Sequence, residues 1–110
     1  MRSISKELIG ATAIPIILSA LRNGDSYGYE IVQRVKEITH GKTSWQEASI
    51  YPVLKRLEKE RLIKSYWRMN KNERPRKYYT ILAEGEKQLE LNKEEWKQIQ
   101  TVFDVLWNSV

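Results

Sequence analysis

The sequence EASIYPVLKRLEKER, residues 47–61, predicts the helix around which this protein is organised. At 100° per residue, one face of that helix is apolar and comprises Ile50, Val53, Leu54 and Leu57, with the stem of Arg61 alongside. The opposite face is basic and hydroxyl-bearing and consists of Ser49, Pro52, Lys55, Arg56 and Lys59. An anchored helix with a basic outer face suits contact with a polyanion. The alternative is an ordinary amphipathic surface helix whose cations are solvated.

Pro52 indicates where this helix begins. Proline lacks an N–H and clashes with the carbonyl four residues earlier, so a helix accommodates it in the first turn. We therefore expect the helix to start near Glu47–Ser49, with Ser49, Tyr51 and Pro52 at its N-terminal end. Free N–H groups and the positive end of the helix dipole lie there, and recognition helices commonly reach bases or phosphates from that end.

Composition bounds the class of protein. A chain of 110 residues with 41% hydrophobic and 30% charged residues is expected to form one globular domain with a modest core. The sequence has no cysteine, which excludes disulfides, thiol catalysis and thiolate zinc sites. The first ten residues lack the apolar core of a signal peptide, and Ile14–Leu21 is too short to span a bilayer. We expect a cytoplasmic protein.

The positive charge is concentrated in one segment. Residues 55–77 carry ten Lys/Arg and three Glu, a net charge of +7, while the remaining nine Lys/Arg and eleven Asp/Glu give −2. This asymmetry is typical of a nucleic-acid-binding protein, whereas a generally basic surface would not produce it.

Two helices precede the basic helix. Lys6–Asn23 has too many apolar residues for one stripe and should be buried on two sides, with Pro15 kinking it or leaving a carbonyl unpaired. Gly24 is expected at its C-terminal end, and Asp25 or Ser26 should cap the next helix. That helix, Tyr27–Thr39, ends at His40–Gly41 and places on one face Tyr27, Ile31, Val35 and Ile38. Gly28 should allow a neighbouring helix to approach closely.

Two strands follow the basic helix. Leu62–Met69 and Arg76–Leu82 have β-type composition and are joined by the polar segment Asn70–Pro75. A hairpin after three closely spaced helices predicts a winged helix-turn-helix, with Arg74, Arg76 and Lys77 at the wing. The hairpin also carries four aromatic residues, Tyr66, Trp67, Tyr78 and Tyr79. We expect them to pair across the strands and pack on the helices, and the less favoured alternative is a platform on which single-stranded bases stack.

The last predicted helix, from about Glu84 to Asn108, carries a coiled-coil-like seam. Its apolar repeat at alternating spacings of three and four consists of Leu89, Asn92, Trp96, Ile99, Phe103, Leu106 and Val110. A small domain cannot bury such a seam alone, so we expect a homodimer. The predicted fold is mainly α with a small β-hairpin: a winged helix-turn-helix at 1–82 and a C-terminal dimerisation helix at 83–110.

The sequence resembles the PadR family of bacterial transcriptional regulators, in the short subfamily with one C-terminal helix. The motifs that carry the resemblance are SYGYEI (Ser26–Ile31), ASIYPVLKRLEKERLI (Ala48–Ile63) and RKYYTILAEGE (Arg76–Glu86). Within the family the sequence resembles a lactococcal multidrug-binding repressor. It departs from the family pattern at Arg61, where glycine is usual, and at Ala83, where a capping threonine is usual.

The resemblance implies a dimeric transcriptional repressor that binds double-stranded DNA. It also implies that a planar aromatic ligand at the dimer centre releases the repressor from DNA. The implied DNA contacts are Ser49, Tyr51, Pro52, Lys55, Arg56, Lys59, Arg74, Arg76 and Lys77. The implied ligand-binding residues are Leu8, Ala11, Pro15, Ser19, Trp96 and Gln100. The implied dimer interface comprises Leu8, Leu89, Trp96, Ile99, Phe103 and Leu106. The alternative role for Trp96 is packing in the dimer core without contact to a ligand.

Other functional classes are less consistent with the sequence. His40 is the single histidine, there is no cysteine or phosphate-binding glycine loop, and the acidic residues near Glu90 suit a solvated helix face. We therefore expect neither an enzyme nor a bound cofactor or metal. The alternative to a DNA-binding regulator is a winged-helix module that binds protein or RNA without operator specificity.

Overall fold

The computed structural model describes residues 3–42 and 45–109, and its secondary structure is mainly helical with a small β-sheet. The elements in chain order are α1 (Lys6–Arg22), β1 (Ser26–Tyr27), α2 (Gly28–Ile38), α3 (Glu47–Lys59), β2 (Ile63–Arg68), β3 (Arg76–Ile81) and α4 (Ala83–Asn108). The predicted fold class, a helical domain with a β2–β3 hairpin as its wing, is confirmed. No helix in the described part of the chain is long and apolar enough to cross a membrane.

The sheet contains a third strand that the sequence did not predict. β1 pairs antiparallel with β3, so the strand order is β1-β3-β2 and Tyr27 lies opposite Tyr78. The predicted cap on the second helix was wrong, because Tyr27 is the N-cap residue and makes no side-chain capping bond. Instead, the Ser26 hydroxyl donates to Glu30 at 2.6 Å, and Asp25 accepts a 2.6 Å hydrogen bond from the Tyr66 hydroxyl.

The core lies where the first three helices and the sheet meet. Its fully buried side chains come from every helix and from β2, and the largest are Ile17, Leu18, Leu21, Ile31, Ile50, Leu54, Leu57, Ile63 and Leu89. The inward face predicted for the basic helix is confirmed at Ile50, Leu54 and Leu57. Ile38 was expected on the buried face of α2 but is 68% exposed, because α2 ends at this residue.

α1 begins and ends as its residue types dictate. The Ser5 side chain caps its start by accepting from the Leu8 N–H, a cap that the sequence pattern did not reveal. The helix runs without interruption through Pro15, whose missing N–H leaves the Ala11 carbonyl without its usual helical donor. Gly24 follows the C-cap with φ of 147°, a conformation that favours glycine.

α3 ends in a left-handed turn although glycine is absent. Arg61 has φ of 63°, and its N–H donates to the Glu58 carbonyl at 3.0 Å. The next N–H, of Leu62, donates to the Leu57 carbonyl at 3.0 Å, which completes a Schellman motif. The departure from the family residue at position 61 therefore leaves the turn itself unchanged.

Gly85 allows α4 to pack directly on the loop before β2. It is buried, and a Cβ at this position would lie 2.8 Å from Cγ1 of Ile81 and far inside van der Waals contact with the Leu62 carbonyl oxygen. The Leu82 N–H donates to that same oxygen at 2.9 Å. α4 starts at Ala83, and its N-cap residue, Leu82, makes no side-chain capping bond. Position 83, where the family's threonine was expected to cap the helix, is the first helical residue instead.

Candidate nucleic-acid interface

α3 and the β2–β3 hairpin enclose a groove of about 650 Å³. Its walls are formed by Tyr27, Tyr51, Lys55, Glu58, Trp67, Arg74, Pro75, Arg76, Lys77 and Tyr79. Five of the nine predicted DNA contacts line this groove, namely Tyr51, Lys55, Arg74, Arg76 and Lys77. The others, Ser49, Pro52, Arg56 and Lys59, are exposed on α3 but lie outside the groove walls. The fold thus brings the basic helix and the wing to one surface.

The groove cations differ in how they are held. The Arg76 guanidinium lies 4.5 Å from the centre of the Tyr27 ring, which restricts it by a cation–π contact. Lys77 Nζ lies 4.0 Å from Glu58 Oε1 and 5.9 Å from the centre of the Tyr79 ring. Within residues 3–42 and 45–109, no acidic side chain forms an ion pair with Lys55 or Arg74. These two exposed cations are therefore available for phosphate oxygens.

Tyr51 is held at the floor of the groove. Its hydroxyl donates to Glu47 Oε1 at 2.7 Å, and its ring carbon would lie 3.0 Å from a Cβ at Gly28. The expectation that Gly28 permits close approach is thereby confirmed, the approaching group being a tyrosine ring from α3. Burial, reinforced by Glu47, raises the pKa of Tyr51 to about 12. The neutral phenol donates to Glu47 and leaves its oxygen as an acceptor.

Glu58 is a groove residue that sequence reasoning missed. Its Oε2 accepts from the Ser65 N–H at 3.1 Å and from the Ser65 hydroxyl, while Oε1 faces Lys77. Burial and, second, Glu58 raise the pKa of Tyr79. Within the sequence Glu58 is one more charged residue on a helix, and its partners are seven and nineteen positions away. Only the hairpin brings them together.

The hairpin aromatics pack as the favoured interpretation predicted, with one exception. Tyr78 and Tyr79 are buried, and Tyr66 stacks on Tyr78 with ring centres 5.9 Å apart. Trp67, by contrast, is 69% exposed, lines the groove and is the cross-strand partner of Lys77 in the hairpin. Sequence alone could not separate it from its neighbours, because alternation places it on the same strand face as buried Ile63.

A second, more apolar groove of about 620 Å³ lies between α1, α2 and the first half of α4. Of the predicted ligand-binding residues it brings together four, Leu8, Pro15, Ser19 and Trp96, and Lys93 also lines it. Ala11 and Gln100 do not line this groove, and the Gln100 amide donates to Asp104 Oδ1 at 2.8 Å.

The outer half of α4 exposes most of the predicted seam. Exposed fractions are 39% for Trp96, 46% for Ile99, 39% for Phe103 and 62% for Leu106, and Leu8 on α1 is 48% exposed. Leu89 differs, because it is 1% exposed and already packs in the core of its own chain. Val110, also placed in the seam by the sequence pattern, lies outside the described residues.

The family follows from this arrangement and from comparison with known proteins. A family model described as "Transcriptional regulator PadR-like family" matches residues 17–91, which span the core, α3 and the wing. This chain belongs to the PadR family. The family is one of transcriptional regulators, so membership identifies a DNA-binding regulator as the function class.

Solved structures of transcriptional regulators are similar over nearly the whole chain. A transcriptional regulator from Clostridium thermocellum is 39% identical with a TM-score of 0.82, covering 92% of this chain and 95% of that protein. A PadR-like transcriptional regulator from Bacillus cereus is 31% identical with a TM-score of 0.84, covering 96% and 100%. The transcriptional regulator YqjI of Escherichia coli is 29% identical over 77% of this chain but only 39% of its own length.

Proposed function

We propose that this PadR protein is a cytoplasmic, homodimeric repressor that binds double-stranded DNA through the groove between α3 and the wing. The observation that carries the proposal is the pair of exposed cations on opposite groove walls, Lys55 from α3 and Arg74 from the wing. Neither forms an ion pair with a described acidic side chain, so both meet a phosphate backbone without first breaking a contact.

In this proposal α3 enters the major groove and the wing lies along the backbone. The exposed first turn of α3 presents Ser49 and the Tyr51 oxygen toward base edges. The outward cations Arg56 and Lys59, with Pro52 beside them, follow the adjacent strand. Affinity then depends strongly on phosphate neutralisation and falls steeply with salt.

The test is a titration of purified protein against a labelled duplex from upstream of its own gene and against a shuffled duplex. Lys55→Ala and Arg74→Ala are compared with the charge-matched control Lys87→Ala, whose ammonium pairs with Glu84 on α4, away from the groove. Each groove variant should weaken binding and reduce the slope of log affinity against log salt by about 0.9 for each phosphate that it no longer neutralises. The control should leave both quantities unchanged.

Equal affinity for the upstream and shuffled duplexes, or unchanged affinity in both groove variants, would contradict the proposal. The same protein is also titrated with single-stranded RNA of equal length. Tighter binding of RNA than of either duplex would favour the alternative, a winged-helix interaction module without operator specificity.

The dimer and the ligand are separate parts of the proposal. Support for the dimer comes from the exposed apolar side chains on α4 and Leu8 of α1, which a second copy would bury. Support for a planar aromatic ligand comes from Trp96, 39% exposed beside the apolar groove that also contains Leu8, Pro15 and Ser19. Ligand in this position would release DNA by favouring a different separation of the two recognition helices.

The ligand proposal is checked by titrating wild type and Trp96→Phe with a planar aromatic dye while following both tryptophan fluorescence and DNA affinity. Quenching that disappears in the variant, together with weaker DNA binding in wild type, is the expected result. Dye binding with unchanged DNA affinity would contradict release as the mechanism.

A further inference from the structure

Glu58 places a carboxylate inside an otherwise cationic groove. It sits on α3, 34% exposed at the side chain, and both of its oxygens point to the hairpin. A negative charge on a surface meant for DNA repels phosphates, so its presence there is costly for affinity unless it serves another purpose.

One oxygen of this carboxylate joins α3 to the base of the wing. Glu58 Oε2 accepts from both the N–H and the hydroxyl of Ser65, which lies on β2. Hydrogen bonds to a charged acceptor are stronger than neutral ones, and two of them fix the rotamer of the carboxylate. The position of the second oxygen is therefore set before DNA arrives.

That second oxygen faces Lys77 on β3. Lys77 Nζ is 4.0 Å from Glu58 Oε1, and the same ammonium is 5.9 Å from the Tyr79 ring centre, so two groups on the groove floor hold it. Lys55 and Arg74, on the same groove, have no such carboxylate among the described residues. The groove thus contains two restrained cations, Arg76 against the Tyr27 ring and Lys77 beside the only carboxylate among the groove-lining residues, and two free ones.

We propose that Glu58 is a specificity-determining positioning residue, which holds Lys77 against the groove floor and so reduces sequence-independent attraction of phosphate. The proposal rests on the proposed function and goes further, since it assigns a role to a residue that makes no DNA contact of its own. A phosphodiester backbone of any sequence attracts a free lysine, whereas a lysine held by Glu58 meets phosphate only where the rest of the interface fits closely. Restraining Lys77 therefore weakens random binding more than binding at the specific site.

The main test is Glu58→Gln, which removes the charge and keeps an oxygen that can accept from Ser65. An exposed ion pair is worth up to about 1 kcal/mol, so affinity for a shuffled duplex should rise about two- to fivefold. One released cation should steepen its salt slope by about 0.9. The ratio of upstream to shuffled affinity should fall. Glu84→Gln, which removes a charge paired with Lys87 on α4, is the control and should change none of these.

The route through Lys77 is tested by adding Lys77→Gln. The gain of Glu58→Gln should disappear in the double variant, since a double-mutant cycle isolates the coupling between the two side chains. A gain that persists without Lys77 would overturn the positioning role, because loss of the carboxylate charge alone would then explain it. Unchanged or weaker binding of the shuffled duplex by Glu58→Gln, with an unaltered melting temperature, would also overturn it.

A second comparison does not require Glu58→Gln to fold. Lys77→Gln in the otherwise wild-type protein should reduce shuffled-duplex affinity less than Lys55→Gln does, because Lys77 is already engaged. Equal losses would overturn the proposal. In that event the proposed function still stands if Lys55→Ala weakens operator binding, so the two failures are distinguishable.

Discussion

Gly85 should be the position in α4 least tolerant of a single added methyl group. Gly85→Ala would place Cβ against the Leu62 carbonyl, which is backbone and cannot rotate away, and 2.8 Å from Ile81 Cγ1. Relief requires the first turn of α4 to move, which breaks the 2.9 Å hydrogen bond from Leu82 N–H to the same carbonyl. Overpacking costs about 1–3 kcal/mol and an unmade buried hydrogen bond about 1–3 kcal/mol. The better helix propensity of alanine returns about 1 kcal/mol. We expect a net loss of about 1–5 kcal/mol.

Gly10→Ala is the matched control for this prediction. Gly10 is exposed within α1, and nothing lies within 4 Å of its added Cβ, so the same substitution should stabilise by about 0.5–1 kcal/mol. The measurement is urea unfolding followed by far-ultraviolet circular dichroism, with all variants at one protein concentration because the proposed dimerisation would contribute to apparent stability. Equal unfolding free energies for Gly85→Ala and wild type would refute the packing argument, since the carbonyl would then have yielded at no cost.

Two further predictions concern the groove floor and the seam. Because the pKa of Tyr51 is about 12, the stability that its neutral phenol contributes is complete below pH 10 and is lost as the pH rises toward 12. At about pH 11, Tyr51→Phe should therefore remove almost none of the phenolate absorbance of the folded protein. Glu47→Gln should lower the pKa of Tyr51 toward 10 without reaching it, because burial remains. If Tyr51→Phe removed the absorbance of one complete phenolate at that pH, the raised pKa of Tyr51 would be refuted. Ile99→Glu, at a site 46% exposed in the single chain, should leave the fold intact but shift sedimentation from dimer toward monomer, and an unchanged dimer would exclude Ile99 from the interface.

Structural features that depend on local sequence patterns were predictable from the sequence. The inward face of α3 needed only the 100° rotation per residue, and Pro52 restricted the helix start to the region where Glu47 begins it. The polar turn residues before Pro75 marked the wing in the same way. Charge counting then placed the excess of cations on these elements, because hairpin and helix are adjacent in the chain.

Features that depend on distant pairs were not predictable. β1 is two residues long, and its pairing with β3 across about fifty residues is visible only when Tyr27 meets Tyr78. The cap expected from Asp25 failed for the same reason, since Asp25 accepts from the distant Tyr66, whereas Ser26 donates to Glu30 only four residues later. A short polar side chain has several possible hydrogen-bond partners, and at Asp25 the tertiary partner replaces the local cap.

Arg61 shows that a left-handed turn can form without the glycine that such a turn usually contains. A side chain in the left-handed region costs about 1 kcal/mol relative to glycine, which is small beside the burial of the α3 and β2 side chains on either side of the turn. The turn is therefore imposed by Leu57 and Ile63, whose fully buried side chains fix the direction in which the chain leaves α3. The same reversal carries Ser65 back to Glu58 and so sets the distance between α3 and the wing.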